Sequence, residues 1–331
     1  LGALDRKEEM KLLYMAQLVM NPIGGAEIST INLIDSLKSN GVIVDYIDSS
    51  NVEKFNQDIS IMGPEKYFKD YDAILTQLNW TGQVLDLAKA AGKKAIYFFH
   101  SWEHICKVGH TGIIPAICNR ICRHCYYKNK EFKPDYTIAN SEYTKRMLED
   151  HYDIKSEVIY PSLNLKDFIC KDRSPEYITM SRLHYMKGTD RFIKIAKRMP
   201  DHKFRIVGYG KEEWDDDIPA NVTVSGHLSP KECYQEASLW LSPSRFDSFG
   251  MTVIEAQLNN IPTIATNICA VKEDETVMLG STIDDGDNID EWIEKISYWN
   301  KKVDTIKPNS NALDKFLDKN KALNLIDMIG S

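Results

Sequence analysis

The sequence lacks any run of about 18 or more apolar residues, so no stretch of it suits a helix that spans a bilayer. It also lacks the charged-then-apolar N-terminal order of a secretory signal. Basic residues are outnumbered, with 41 Lys and Arg against 48 Asp and Glu. The resulting net charge of -7 argues against a chain that coats nucleic acid with its whole surface, although a local basic site is compatible with it. Seven cysteines are an odd number, and paired CxxC knuckles are absent. Reduced thiols in a cytoplasmic protein are therefore expected rather than a disulfide framework. No acidic pair of the metal-chelating kind, no repeat and no low-complexity segment is present.

What is there is a chain of 331 residues, larger than one hydrophobic core usually serves, so two domains are expected. Met10-Lys11-Leu12-Leu13-Tyr14 reads as a native start, with residues 1–9 a remnant ahead of it.

Strand-like and helix-like stretches alternate throughout, the pattern of an α/β protein with parallel sheets. Lys11 to Val19 is a short apolar run that ends at Asn21-Pro22-Ile23-Gly24-Gly25. Glu27 to Lys38 then carries Ile28, Ile31, Leu33, Ile34 and Leu37 at helical spacing and closes at Asn40-Gly41. Strands are predicted at Val42 to Ile47, Ala73 to Thr76, Lys94 to Phe99, Tyr136 to Ala139 and Val158 to Tyr160. Helices are predicted at Val84 to Ala91 and Ser141 to Asp150. The pattern restarts at Tyr177 to Met180. Strands follow at Lys203 to Val207, Val222 to Ser225, Leu239 to Ser242 and Thr263 to Ala265. Helices fall at Thr189 to Arg198, Lys231 to Ala237 and Gly250 to Asn259. The expected domains are 10–165 and 166–331, with a helical stretch after Ala312 that packs back on the first domain.

The most informative segment runs Ser242-Pro243-Ser244-Arg245-Phe246-Asp247-Ser248-Phe249-Gly250-Met251-Thr252-Val253-Ile254-Glu255-Ala256. A strand delivers a tight loop, and a helix begins near Gly250. The first N–H groups of that helix have no intrahelical partner, and the helix dipole points the same way, so the site favours an anion. Asp247 lies in the loop and Glu255 about two turns later, so both can border one ligand. A carboxylate beside a phosphate is costly unless it accepts hydrogen bonds from sugar or ribose hydroxyls.

This segment, with Asn260-Ile261-Pro262-Thr263-Ile264-Ala265-Thr266 after it, resembles the retaining glycosyltransferases of the GT-B fold. That family includes glycogen synthases, sucrose synthases and surface-polysaccharide enzymes (glycosyl transferases group 1). Its motif is an acidic residue, a small residue-Phe-Gly turn, then Glu-Ala. The resemblance implies an α/β GT-B fold, with two Rossmann-like domains whose parallel sheets face a central cleft. It implies that Glu255 holds the donor ribose. It further implies that Asp247, with the backbone of Phe249 and Gly250, contacts the transferred sugar, and that Ser248, Met251 and Thr252 line the donor. The family usually has Glu at the first acidic position, so Asp247 has a shorter reach.

Ser181-Arg182-Leu183-His184-Tyr185-Met186-Lys187-Gly188 places two cations between a strand and a helix. A diphosphate leaving group gains negative charge as the glycosidic bond breaks, and fixed cations lower that barrier. The family has Arg and Lys at this spacing, which carries that role to Arg182 and Lys187. Pro22-Ile23-Gly24-Gly25-Ala26-Glu27 lets the backbone approach a ligand closely. It resembles the family's Gly-Gly-Ala-Glu loop over the donor phosphates. His100 follows a strand at the edge where open α/β sheets bind ligands. By resemblance it contacts the sugar or the acceptor. Val207-Gly208-Tyr209-Gly210 and Gly226-His227-Leu228-Ser229 match the family segments that border the nucleotide base. Two departures stand out: Cys269-Ala270-Val271 replaces a usual Gly-Gly pair, and Pro161-Ser162 a usual Asn-Gly.

Trp102 to Lys133 matches no family motif. It holds Cys106, His110, Cys118, Cys122, His124 and Cys125 beside Arg120, Arg123, Lys128, Lys130 and Lys133. Cys118, Cys122 and Cys125 fall at helical spacing, which fits small buried thiols, whereas zinc would need four convergent ligands. The basic stretch from Arg120 to Lys133 suits a solvated helix face. It equally suits an anionic lipid head group at a membrane surface, a phosphorylated glycan or nucleic acid.

The expected function is transfer of a sugar from a nucleotide-diphosphate sugar, a UDP-sugar favoured, to an acceptor hydroxyl. The acceptor is a glycan or a lipid-linked or phosphorylated molecule. Retention is implied by the resemblance, and neither cofactor nor metal is expected. A nucleotide-sugar epimerase of the same fold, a DNA-modifying glycosyltransferase and a non-catalytic nucleotide-sugar-binding protein are the alternatives. The protein is expected in the cytoplasm, with peripheral membrane contact through Arg120 to Lys133.

Overall fold

The computed structural model describes residues 9–16, 25–48, 50–77, 81–100, 134–208, 218–267, 279–302 and 321–330. The chain divides into two compact units. One runs to Ser162 and takes in the C-terminal helix; the other begins at Leu163.

The first unit holds a six-stranded parallel sheet. Its strands are β1 (Lys11–Ala16), β2 (Ile43–Ile47), β3 (Ala73–Gln77), β4 (Lys94–Phe99), β5 (Tyr136–Ala139) and β6 (Glu157–Val158), in the order β2-β1-β3-β4-β5-β6. Successive residues of a strand face opposite sides of the sheet. Leu12, Tyr14 and Ala16 of β1 therefore join one core cluster, and Leu13 and Met15 join another on the opposite face. Burial on both faces explains the continuous apolar runs of β1 and β4. Helix α1 (Gly25–Ser39) covers the first face through Leu33, Ile34 and Leu37. Helices α2 (Val52–Met62), α3 (Pro64–Tyr67), α4 (Thr81–Ala90) and α5 (Glu142–Tyr152) complete the unit's described helices before the chain leaves it. Ser141 caps α5 by accepting the Thr144 N–H at 3.0 Å, the N-terminal chemistry expected of a serine there.

The second unit repeats the plan. Strands β7 (Tyr177–Ser181), β8 (Phe204–Val207), β9 (Val222–Val224), β10 (Ala237–Ser242), β11 (Thr263–Thr266) and β12 (Gly280–Ile283) form a parallel sheet ordered β12-β11-β10-β7-β8-β9. Helices α6 (Leu165–Phe168), α7 (Thr189–Arg198), α8 (Pro230–Gln235), α9 (Met251–Leu258) and α10 (Ile289–Asn300) accompany it. Phe192 and Ile195 of α7 and Trp292 and Ile296 of α10 pack into one cluster with Ile178, Phe204, Leu239 and Ile264 of the sheet.

The final helix, α11 (Lys321–Gly330), belongs to the first unit. Ala322, Leu325 and Ile329 share a core cluster with Leu33 and Leu37. Buried Lys321 donates to the Pro161 carbonyl at 2.9 Å, and Lys94 donates to the Ile329 carbonyl at 2.7 Å.

The structure revises the sequence reading in places. Ala237, placed at a helix end by its neighbours' pattern, opens β10, where pairing with Tyr177 overrides local propensity. Edge strand β12 has a single buried apolar residue, Ile283, and gives no strand signal. Helix α2 buries only Phe55. The segment from Trp102 to Lys133, the Gly24 position, Tyr209-Gly210 and Cys269-Ala270-Val271 lie outside the described residues.

Candidate functional site

In each sheet, successive crossovers leave the first strand in opposite directions. The chain goes from β1 to β2 on one side and returns to β3 on the other; β7 has β8 on one side and β10 on the other. At such a switch point the loops diverge and leave a crevice at the carboxyl ends of the strands, where ligands of open α/β sheets bind.

In the second unit the two loops at this point carry the predicted residues. Arg182 follows β7 with φ of 60°, a left-handed backbone that is unusual for a bulky side chain. Its N–H donates to the Val207 carbonyl at 2.5 Å. Gly208 passes close behind: a Cβ there would lie 3.3 Å from the Arg182 Cα. A 3₁₀ turn, Tyr185–Lys187, follows, capped by His184 through its Nδ1.

Gly188 then brings this turn against the loop after β10. A Cβ on Gly188 would lie 2.0 Å from the Pro243 carbonyl oxygen, and its φ is +74°, so glycine is required twice over. The Arg245 N–H donates to the Met186 carbonyl at 2.8 Å. The Arg245 guanidinium reaches back over the turn: it lies 3.9 Å from the Tyr185 ring centroid, donates to the Tyr185 carbonyl at 2.9 Å and forks onto Asp190 at 2.6 and 2.8 Å. Burial works to raise the Asp190 carboxyl, yet the Arg245 hydrogen bonds hold it below the usual range. Arg191 pairs with Asp287 at 2.8 and 3.0 Å and donates to the Pro243 carbonyl at 3.1 Å. Arg245 and Arg191 thus tie the two loops together, a role that the sequence reading did not give them.

The result is that Lys187 and Asp247 meet, Nζ to Oδ2, at 2.7 Å. Asp247 Oδ1 accepts the Gly250 N–H at 2.8 Å and the Phe249 N–H at 3.3 Å. Gly250 has φ of 81° and stands as N-cap of α9, one residue later than the predicted helix start. The N–H groups of Met251 and Thr252 open the helix, where no carbonyl four residues back serves them. One turn on, Glu255 accepts the Tyr234 hydroxyl at 2.5 Å. Burial pushes the Glu255 carboxyl above its ordinary range, with the Tyr234 hydrogen bond opposing in part. Next to it the Cys233 thiol is pushed up to about 12, first by burial and then by the Glu255 charge. Gly208 and Gly226 pair by a backbone hydrogen bond of 2.5 Å, which sets the Gly208 loop beside the exposed His227 and the half-buried Leu228.

In the first unit, His100 is 8% exposed just beyond β4. Its Nε2 lies 2.5 Å from Gln77 Oε1, and its ring stacks on Phe98 at 4.4 Å between centroids. Asn140, just beyond β5, donates to the His100 carbonyl at 2.8 Å. Gln77 ends β3 and also accepts the Tyr14 hydroxyl at 2.7 Å. Gln77, Asn140 and Tyr14, which come from or just beyond three other strands, were not singled out from the sequence. Gly25 opens α1, with Glu27 in its first turn. Among the described residues no three His, Cys, Asp or Glu side chains group as metal ligands, and no helix is long and apolar enough to cross a membrane.

Comparison with known proteins shows what this chain is similar to. Residues 165–309 match the family model described as Glycosyl transferases group 1. An uncharacterized glycosyltransferase of Haemophilus influenzae is 24% identical over 78% of this chain and 81% of its own length. An uncharacterized 41.2 kDa protein in the cps region of Klebsiella pneumoniae is 27% identical, but the match spans only 39% of each chain. Among solved structures, a sucrose-phosphate synthase from Thermosynechococcus elongatus superposes with a TM-score of 0.70 at 15% identity, over 96% of this chain and 98% of that one. Anabaena Alr3699/HepE, solved in complex with UDP and glucose, gives 0.67 at 16% identity, over 97% and 100%. Residues 165–309 thus match the glycosyl transferases group 1 model, in a chain with the two-unit GT-B fold.

Proposed function

We propose that this chain transfers a sugar from a nucleotide-diphosphate sugar, with a UDP-sugar favoured, to an acceptor hydroxyl, with retention of configuration and without a metal ion. The observation that carries this reading is the meeting of Lys187 and Asp247 at the N-terminus of α9, at the switch point of the second sheet, with Arg182 at the start of the loop that delivers Lys187. The family match over the same unit supports it, as does a likeness to a protein solved with UDP and glucose.

In this reading the donor diphosphate lies at the opening N–H groups of α9. Lys187 and Arg182 supply positive charge as the bond between the anomeric carbon and the diphosphate breaks, so the leaving group departs without a cation of its own. Asp247 and the turn from Ser248 to Gly250 face the transferred sugar. Glu255 accepts ribose hydroxyls, and the Gly208 loop with His227 and Leu228 borders the base. Gly24 and Gly25 approach the phosphates. His100 of the first unit contacts the sugar or the acceptor, which is a glycan or a lipid-linked or phosphorylated molecule.

The test is a thermal-shift screen against UDP, GDP, ADP and their common sugar conjugates, with and without a chelator. A ligand that binds only the native state raises the midpoint by mass action. The expected result is a shift with one nucleotide family that survives the chelator and is lost in Arg182→Ala and Glu255→Ala. No shift with any of them would sink the reading.

A further inference from the structure

Four polar side chains of the first unit form a directed circuit whose sense can be read from one end to the other. The Ala26 carbonyl can only accept, and the Thr30 hydroxyl lies 2.8 Å from it, so Thr30 places its proton there. Thr30 Oγ1 is then an acceptor for Gln77 Nε2, at 2.8 Å, with the Tyr14 hydroxyl also beside it. That contact orients the amide and turns Gln77 Oε1 toward Tyr14 and His100. Burial holds the Tyr14 phenol far above its usual range, so it stays protonated and donates to Oε1 at 2.7 Å. Oε1 has no proton to give. His100 Nε2, 2.5 Å away, must therefore donate as well.

We infer that Gln77 is a positioning residue that fixes His100 as the Nε2–H tautomer, so that the lone pair of the neutral ring resides on Nδ1. The inference rests on the proposed reading of His100 as a sugar or acceptor contact. It deepens that reading by stating what His100 offers: Nδ1 accepts a hydrogen bond from a substrate hydroxyl and does not donate one. The ring cannot easily rotate out of this arrangement. Phe98 stacks on one face, and Asn140 holds the His100 backbone carbonyl. The placement is economical, because β3 and β4 are adjacent and end at the same level, with Gln77 paired to Phe98 in register. Thr30, on α1, is 1% exposed and Gln77 is 0% exposed, so bulk water does not compete for the circuit.

Nitrogen-15 spectra of the imidazole rings test this directly, since protonated and unprotonated ring nitrogens differ widely in shift. The His100 signals are those lost in His100→Gln. The wild-type protein is expected to show a protonated Nε2 and an unprotonated Nδ1. Gln77→Glu keeps an acceptor and should keep Nε2 protonated, while its charge favours a second proton on Nδ1; Gln77→Met keeps the length, removes the acceptor and should give mixed tautomers. A wild-type ring protonated on Nδ1, alone or together with Nε2, or an unchanged pattern in Gln77→Met, would overturn the inference. If Gln77→Met does not fold, the wild-type spectrum alone decides. Transfer activity is read separately: Gln77→Met should lower kcat at least several-fold with donor KM little changed. An Nε2–H ring in a protein whose transfer survives His100→Gln would leave the assignment of Gln77 standing and remove His100 from the substrate.

Discussion

Lys187 Nζ and Asp247 Oδ2 stand 2.7 Å apart, which joins the loop after β7 to the loop after β10 with a partly buried ion pair. Asp247 also spends Oδ1 on two backbone N–H groups, those of Phe249 and Gly250. Three of its four lone-pair sites are therefore committed within the loop, and one remains on Oδ2. The carboxylate helps to shape the turn, and a sugar hydroxyl could claim one acceptor site from it. The shorter reach of Asp against the family's Glu suits a group held this close to its own backbone.

The pairing makes a signed prediction for nucleotide affinity. Asp247→Asn keeps the side-chain oxygen that accepts the Gly250 N–H but removes a negative charge beside the proposed diphosphate position. The free nucleoside diphosphate should bind tighter, on the order of tenfold, while sugar transfer falls. Titration calorimetry at two salt concentrations checks it, because the gain should shrink as salt screens the charges. Weaker binding would place the diphosphate elsewhere.

Arg182 should show function and stability pulling apart. Its φ of 60° costs an ordinary residue roughly 1–2 kcal/mol. Arg182→Gly should relieve that cost and raise the unfolding free energy by about 1 kcal/mol, net of the extra backbone freedom of glycine. Arg182→Ala keeps the strain and should gain nothing. Both variants should lose transfer alike, since both lack the cation. Urea unfolding of the two variants beside the wild type separates the effects.

The strands were legible wherever burial on both faces imposes an apolar run: β4 and β5 fall where the pattern put them. So was the segment from Pro243 to Glu255, loop and first turn of α9, because its residues are consecutive. The polar circuit of the first unit was not legible, since Tyr14, Thr30, Gln77 and His100 are far apart in sequence and meet only once three parallel strands and α1 come together. Tyr14 reads as one more core residue of β1. The clamp of Arg245 on Asp190 was hidden for the same reason. By contrast α10 carried a readable signal in Ile289, Trp292, Ile293, Ile296 and Trp299 at helical spacing.

Gly188 is predicted to be irreplaceable for geometry. Gly188→Ala would set a methyl group into the Pro243 carbonyl and hold alanine at a left-handed φ. The backbone alone should cost about 1–2 kcal/mol, and the clash adds to it. The two loops must then separate, so donor affinity should fall further than stability does. Melting temperature together with nucleotide titration reads both. A variant as stable and as tight as the wild type would show that the contact between the loops is not needed.

Glu255 gives a pH dependence whose sign is fixed by burial. Its carboxyl is raised above the ordinary value of 4.5 in the folded chain. The folded state therefore holds this proton more tightly than the unfolded state does. The contribution favours folding below the unfolded pKa and is lost as pH rises through the raised folded value. Glu255→Gln keeps an oxygen for the Tyr234 hydroxyl and never ionises. The variant should match the wild type in stability at about pH 4 and exceed it at neutral pH, with the gap opening between the two pKa values. At the same time it should bind nucleotide more weakly, because a neutral amide is a poorer acceptor for two ribose hydroxyls than a carboxylate. Urea denaturation at several pH values measures the first effect and nucleotide titration at neutral pH the second. Parallel stability curves would mean that the carboxylate is solvated as in water. A stability gap without loss of nucleotide affinity would take the ribose away from Glu255 and leave it a buried partner of Tyr234.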